Sequence, residues 1–385
     1  MPSYPLDAQA IMDAAIAQSG LTGYADEGLR YRFNRMIGLM NDFGHIPAAQ
    51  YPISVQQVTE TVIKRLQLER DWAQTPQILE GEIKQPFFVL GNPRAGTTLI
   101  QSLLTLDEGH RTPIYSEVQH PSPPPGVDPA HDAHARAEQE EYVRYILETS
   151  PRMLQAHPYF DQGALTEAED EYLSSLDFHI VYPLWFLKVP NICFATPPED
   201  PVLAFEFQKK FLQQLQWKMP TKRWVGKGVM HQYLAPALLE VFPDMVGFWI
   251  HRAPEDYIAS LMDHMDIQYK PFNGELYNFQ HSAMLEQLKA GVDAIMNCPA
   301  TSDPRLHHIR FQDLVNDPVA VIAPIYEKCG IPFTKSYENA LRQRLADPAH
   351  RANRYGKHHY SLEKFGYSKD QMRRMFSDYC DRFGL

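Results

Sequence analysis

A chain of 385 residues is long enough for one large or two modest domains and for a sizeable core. With 44% hydrophobic and 22% charged residues it is not a wholly disordered protein. The excess of 47 acidic over 36 basic residues, a net charge of −11, argues against a general binder of nucleic-acid backbones but leaves room for a local pocket for one small anion.

The first 80 residues read as a helical extension packed on the core. Leu29, Phe33, Met36, Ile37 and Met40 recur on one helical face, and Val55, Val58, Val62, Ile63 and Leu66 do so again behind Ser54 as an N-cap. Packing is their expected role, with a substrate rim or a homodimer contact as the alternatives. At Pro86 the pattern changes. Phe87 to Leu90 is a short apolar run ending in Gly91, the mark of a buried parallel strand, and Leu99, Leu103 and Leu106 follow at helical spacing. Three more strand-then-helix units begin at Arg223–Gly226, Met245–Ile250 and His307–Phe311. Such alternation predicts an α/β fold with a parallel sheet covered by helices, one unit over 86–385. Between the units lie a proline-rich loop, His120–Gly126, and an apolar aromatic stretch, Phe178–Phe194. The carboxyl end predicts one amphipathic helix through Met372, Met375, Phe376, Tyr379 and Phe383.

The amino terminus has no basic segment before an apolar run, and the longest apolar stretch, Ile180 to Leu187, is broken by Pro183 and too short to span a bilayer. Cys193, Cys298, Cys329 and Cys380 are scattered without metal-ligand spacing. These features predict a cytoplasmic protein with reduced thiols and no membrane span.

The sharpest local feature is Gly91-Asn92-Pro93-Arg94-Ala95-Gly96-Thr97-Thr98, between the first strand and its helix. Backbone N–H groups converge at such a turn, and the helix N-terminus adds partial positive charge, so an anionic oxygen is favoured there. The spacing is that of the triphosphate loop GxxxxGK[ST], but Thr97 stands where the lysine should be and Arg94 supplies a cation earlier. That argues against ATP or GTP hydrolysis and suits a single 5′-phosphate chain ending in a sulfate. A structural turn without a ligand is the bland alternative. A second feature is Arg252 at the carboxyl end of the third strand, where open α/β sheets bind ligands, with Ser260 about two turns into the next helix. An arginine and a hydroxyl converging there would hold a separate phosphate. The competing reading pairs Arg252 with Glu255 or Asp256.

Together these segments resemble the sulfotransferases that use 3′-phosphoadenosine 5′-phosphosulfate (PAPS), and most closely their bacterial branch. The family's phosphosulfate loop is matched by Pro93-Arg94-Ala95-Gly96-Thr97-Thr98, with Ala95 in the place of the usual serine. Its arginine and following serine, which take the 3′-phosphate, are matched by Arg252 and Ser260. An intervening strand ending in lysine is matched by Trp224-Val225-Gly226-Lys227, with His231 soon after, and the likeness runs from about Pro86 to the carboxyl end. The resemblance implies a P-loop-type sheet, PAPS as donor, 3′-phosphoadenosine 5′-phosphate (PAP) as product and no metal. The glycine-rich carboxyl-terminal loop of the animal cytosolic branch is missing. Arg351 to Tyr360 stands in its place, which makes Arg354 or Lys357 the expected closure over the 3′-phosphate.

Sulfuryl transfer needs an aligned acceptor, a base, and cations on the developing charge. The resemblance gives Arg94 and the amides near Gly96, Thr97 and Thr98 the phosphosulfate, and gives Lys227 the leaving oxygen. Glu117 is the favoured base and His120 its competitor, while His231 orients the lysine segment. The pairs His307-His308 and His358-His359 read as structural or donor-side residues, because neighbours on a strand face opposite ways. Tyr182, Pro183, Leu184, Trp185, Phe186, Leu187 and Phe194 are candidates to line a small apolar acceptor's pocket, with core packing as the equal alternative. The acidic run Glu167, Glu169, Asp170, Glu171 reads as a solvated helix face, with orientation of an acceptor as the alternative. The rival functions are a P-loop kinase-like enzyme, which lacks its lysine here, and a non-catalytic nucleotide-binding protein.

Overall fold

The structure, a computed structural model, describes residues 4–43, 46, 48, 50–180, 197–351 and 353–385. Five strands form one parallel sheet: β1 (Phe87–Gly91), β2 (His110–Arg111), β3 (Arg223–Lys227), β4 (Val246–His251) and β5 (Leu306–Arg310), in the order β2-β3-β1-β4-β5. The central strand β1 is buried along its whole length. Its side chains alternate, so Phe88 and Leu90 enter one apolar cluster with Trp224 and Trp249, whereas Phe87 and Val89 enter another with Val225 and Phe248. Helices on both faces bury these clusters, which is why the strands read as continuous apolar runs rather than alternating ones. The two-residue strand β2 carries no periodicity and is absent from the sequence reading.

Gly226 is required by close approach. A Cβ there would lie 2.2 Å from Asp170 Oδ2 and 2.8 Å from the Phe88 ring, so glycine lets the segment carrying Glu169 and Asp170 lie against the end of β3. That contact brings a carboxylate-rich segment to the lysine at the strand's tip.

The amino-terminal helices Ala8–Ser19, Glu27–Phe43 and Tyr51–Gln74 bury Leu29, Phe33, Met36, Ile37, Met40, Val58, Val62 and Leu66 in a cluster of their own, joined by Phe178. Asp177 ties them to the rest of the chain, accepting from Arg65 Nε at 2.5 Å and pairing with Arg32 Nη2 at 2.7 Å. Ser54 is not a cap. The helix starts at Tyr51 with Pro52 in its first turn, and Ser54 is fully buried within it. The carboxyl end holds two short helices, Lys369–Met375 and Ser377–Phe383, rather than one. The run Glu167–Glu171 is also no solvated face, because Asp170 and Glu171 are 1% and 2% exposed.

His307 and His308 do face opposite ways. His307 approaches the Cys329 thiol at 3.6 Å, and His308 bonds His251 at 2.8 Å. Cys298, Cys329 and Cys380 are free thiols. Among the described residues, no helix is long and apolar enough to cross a membrane.

Candidate active site

The carboxyl ends of β1, β3 and β4 converge on one cavity of about 670 Å³. Its first wall is the turn after β1. Asn92 is clamped there by Gln232 Nε2 at 2.9 Å and by the Tyr233 hydroxyl at 3.1 Å, and its carbonyl accepts the Ala95 N–H at 3.0 Å. Arg94 and Gly96 take the left-handed conformation at φ 69° and 108°. A Cβ on Gly96 would fall 2.5 Å from the Phe311 ring, so this position needs glycine for both its backbone and its space. The helix Thr97–Leu104 starts immediately afterwards with no side-chain cap on its first N–H groups. Those donors and the helix dipole face the cavity end lined by Gly96, Thr97 and Thr98.

Among the described residues, Arg94, Arg252 and Lys227 stand near that end. Arg94 donates from Nε to Ser260 Oγ at 3.2 Å and from Nη2 to the Ala156 carbonyl at 2.5 Å. Burial above all pulls its guanidinium down to about 10, which still leaves it protonated at neutrality. Arg252 donates from Nη1 to the Arg94 carbonyl at 3.0 Å and lies over the Phe311 ring at 4.5 Å. Its Nε is buried without a partner. Glu255, its sequence neighbour, pairs with Arg373 at 3.0 Å instead. Arg252 and Ser260 therefore share one cavity with the turn, as the spacing predicted. Lys227, 2% exposed at the tip of β3, reaches Thr98 Oγ1 at 3.3 Å and Glu169 Oε1 at 2.5 Å.

The carboxyl-terminal candidates separate. Lys357 lines the cavity. Arg354 is turned away from it, pairing with Asp161 at 2.8 Å and donating to the Pro158 carbonyl at 2.8 Å, which pins the loop to the neighbouring 3₁₀ segment Pro158–Leu165.

Both sequence candidates for the base stand elsewhere. Glu117, on the short helix Tyr115–Gln119, is paired with Arg111 at 2.6 Å, and that guanidinium also donates to the carbonyls of Leu215 and Met219. His120 lines a separate pocket of about 260 Å³, with Glu138 at 3.4 Å, and burial pushes its imidazole down to about 4. Neither lines the larger cavity. His231 is buried with Asp170 Oδ2 at 3.3 Å, and a Cβ on Gly228, the residue after Lys227, would fall 2.7 Å from its Nε2.

Glu169, which the sequence offered only to orient an acceptor, lines the cavity, and so do His157 and His264, which the sequence reading did not single out. His264 lies four residues after Ser260 on the helix Pro254–Asn273, so the helical repeat carried a signal for it. His157 had no such signal. The far end of the cavity is apolar, walled by Leu261, Met265, Met284 and Leu288. The proposed acceptor wall of Tyr182 to Leu187 and Phe194 lies outside the described residues, although Ile180 and Pro197 on either side line the cavity.

The pattern of sulfotransferase sequences matches residues 86–335. The chain belongs to the sulfotransferase family. It is a PAPS-dependent sulfotransferase by that membership. Curated relatives from Mycobacterium bovis and Mycobacterium tuberculosis, both named omega-hydroxy-beta-dihydromenaquinone-9 sulfotransferase Stf3, are 24% identical over 70% of this chain and 69% of their own length. The crystal structure of sulfotransferase STF9 from Mycobacterium avium superposes with a TM-score of 0.80 at 25% identity, covering 98% of this chain and 97% of that one. Sulfotransferase STF1 from Mycobacterium tuberculosis superposes at 0.78 with 20% identity, over 98% and 100% of the two chains, and shares the fold.

Proposed function

We propose that this sulfotransferase moves the sulfuryl group of PAPS onto the hydroxyl of a lipophilic small molecule. One observation carries the reading: a single cavity runs from the cation-rich turn to apolar walls, and one helix lines both ends. Along Pro254–Asn273, Ser260 sits at the anion end, while Leu261, Met265 and Tyr269 continue along the wall. At ~1.5 Å per residue, Ser260 to Tyr269 spans roughly 13 Å, room for an extended apolar group beyond the reacting centre. The menaquinone derivative in the relatives' name agrees with such an acceptor.

In this reading Arg94 and the amides of Gly96 to Thr98 hold the 5′-phosphosulfate. Arg252, Ser260 and Lys357 take the 3′-phosphate, and Arg252 Nε, buried without a partner, is the donor placed to meet it. The roughly tetrahedral anion thus finds guanidinium and backbone donors in place before binding, so little reorganisation is needed. Lys227 meets the charge that develops on the oxygen leaving sulfur. Apolar walls exclude water, which strengthens each of these interactions.

A thermal-shift panel tests the donor, and product analysis tests the acceptor. PAP should raise the melting temperature while ATP and GTP leave it unchanged, since at about 100 Kd a ligand adds about 2.7 kcal/mol. Mass spectrometry after incubation with PAPS should show sulfate esters of long-chain alcohols or alkylphenols in preference to hydrophilic sugars. Equal stabilisation by ATP, or preferential sulfation of sugars, would overturn the reading.

A further inference from the structure

The general base must stand within hydrogen-bond reach of the attacking hydroxyl, and that hydroxyl must lie beside the group being transferred. Lys227 Nζ marks this place, being 3.3 Å from Thr98 Oγ1 at the start of the anion-binding helix. On its other side Nζ donates to Glu169 Oε1 at 2.5 Å, and Glu169 is part of the cavity wall. One ammonium group therefore bridges the phosphosulfate end and a carboxylate that faces the acceptor's space. We propose that Glu169 is the general base of the transfer, a role that rests on the function proposed above.

Among the described residues, the neighbouring groups favour Glu169 over Asp170, Glu171, His157 and His264. Three acids are consecutive here, and their surroundings push them apart. Asp170 is 1% exposed, accepts from Gln208 Nε2 at 2.8 Å, and is pushed up to about 8 by burial. Glu171 accepts the Met230 N–H at 2.7 Å and is also pushed up to about 8, by burial first and then by the Glu169 charge. Near neutrality both hold their protons, and of the three it is Glu169 that bonds Lys227 Nζ. Among the described residues, Arg94 from the turn and the phenols Tyr115 and Tyr172, which burial keeps protonated, also act on Glu169. His157 and His264 share the cavity. Burial, then the charges of Lys227 and Arg94, hold the His157 imidazole well below its usual range. Burial and Arg94 do the same to His264. An imidazole so reluctant to become a cation is a poor acceptor for a proton.

The step balances without a further reactant. The acceptor oxygen forms a bond to sulfur as the bond from sulfur to the phosphate oxygen breaks, with its electron pair passing to that oxygen beside Lys227. The acceptor's proton passes to Glu169 and then to solvent.

The test uses the full-length enzyme, saturating PAPS, decanol, and a series of para-substituted alkylphenols of graded acidity. Glu169→Gln should lower kcat by about 10²–10⁴-fold with PAP affinity by calorimetry unchanged. Its penalty should shrink as the phenol becomes more acidic, because less proton transfer is then required. Glu117→Gln and His120→Asn should turn over like the wild type. A penalty equal for every phenol would mean that Glu169 only positions Lys227 and would overturn the assignment. So would normal turnover in Glu169→Gln, or a larger loss in His157→Asn. Should Glu169→Gln fail to bind PAP, Glu169→Asp replaces it, with reduced kcat and intact PAP binding expected and wild-type kcat refuting. A wild-type enzyme that sulfates none of these acceptors would overturn the proposed function itself, and the base with it.

Discussion

Removing Arg252 separates ligand recognition from loop shape. Its side chain makes two kinds of contact within the protein, a bond from Nη1 to the Arg94 carbonyl at 3.0 Å and a stack over Phe311 at 4.5 Å, and it keeps Nε unpartnered. Arg252→Ala deletes the loop contact, worth about 1 kcal/mol, which falls on any ligand held by the turn. For a ligand with a 3′-phosphate it also deletes charge-assisted bonds worth about 1.5–3 kcal/mol. PAP should thus lose about 10- to 150-fold in affinity beyond the loss for adenosine 5′-phosphate, itself about fivefold. Titration calorimetry of both nucleotides at one fixed ionic strength reads the difference. Arg252→Lys should recover part of the PAP loss through charge alone, since lysine lacks the planar fork. Equal losses for the two nucleotides would refute the placement of the 3′-phosphate and leave Arg252 as a support for the turn.

Three further perturbations follow. Gly96→Ala places a Cβ 2.5 Å from the Phe311 ring at φ 108°, so PAP binding should fall below detection by calorimetry while the sheet keeps its circular dichroism; ordinary binding would remove the turn from the site. Asp177→Asn weakens the charge-assisted bond to the buried Arg65 guanidinium, which keeps Glu69 at 2.6 Å, and should cost about 1.5–3 kcal/mol in urea unfolding, whereas a cost below about 1 kcal/mol would show that the tie between the amino-terminal helices and the rest is dispensable. The Arg65 guanidinium and its companions hold Asp177 well below the usual carboxylate range, so this stability is present above pH ~4 and is lost on acidification. Asp170 has the opposite sign: burial raises its folded pKa to about 8, so its contribution declines as pH rises from ~4 and levels off beyond about 8. Asp170→Asn should flatten the stability profile between about pH 5 and about pH 8 in urea titrations, and an unchanged slope would refute the buried neutral carboxyl.

Much of the sheet and of the turn that borders the cavity was legible along the chain. β1, β3 and β4 read as apolar runs because a sheet covered on both faces demands them, β5 at the edge carries His307, His308 and Arg310 instead, and the turn after β1 is a contiguous motif. Glu117 shows where such reading fails. A five-residue helix presents a carboxylate in any direction, and Arg111, held beside Trp224 at 4.8 Å, draws Glu117 away from the cavity. The acidic run misleads for the opposite reason. Four acids in five residues look solvated, but Gly226 lets Asp170 lie against β3, and hydrogen bonds from Gln208 and from the Met230 N–H make burial of Asp170 and Glu171 tolerable.

By itself, then, the order of residues determined the alternation of strands and helices, the glycine-containing turn after β1, and the spacing that lets Arg252 and Ser260 line one cavity. These are local patterns, set by side-chain periodicity and by helix starts. Only the tertiary structure decided that Glu169, 58 residues before Lys227, shares its ammonium, that Lys357 faces the cavity while Arg354 does not, and that apolar walls continue from the anion end. Contacts across such separations depend on which faces the packed elements turn toward one another, and that geometry is not written in any short stretch of chain.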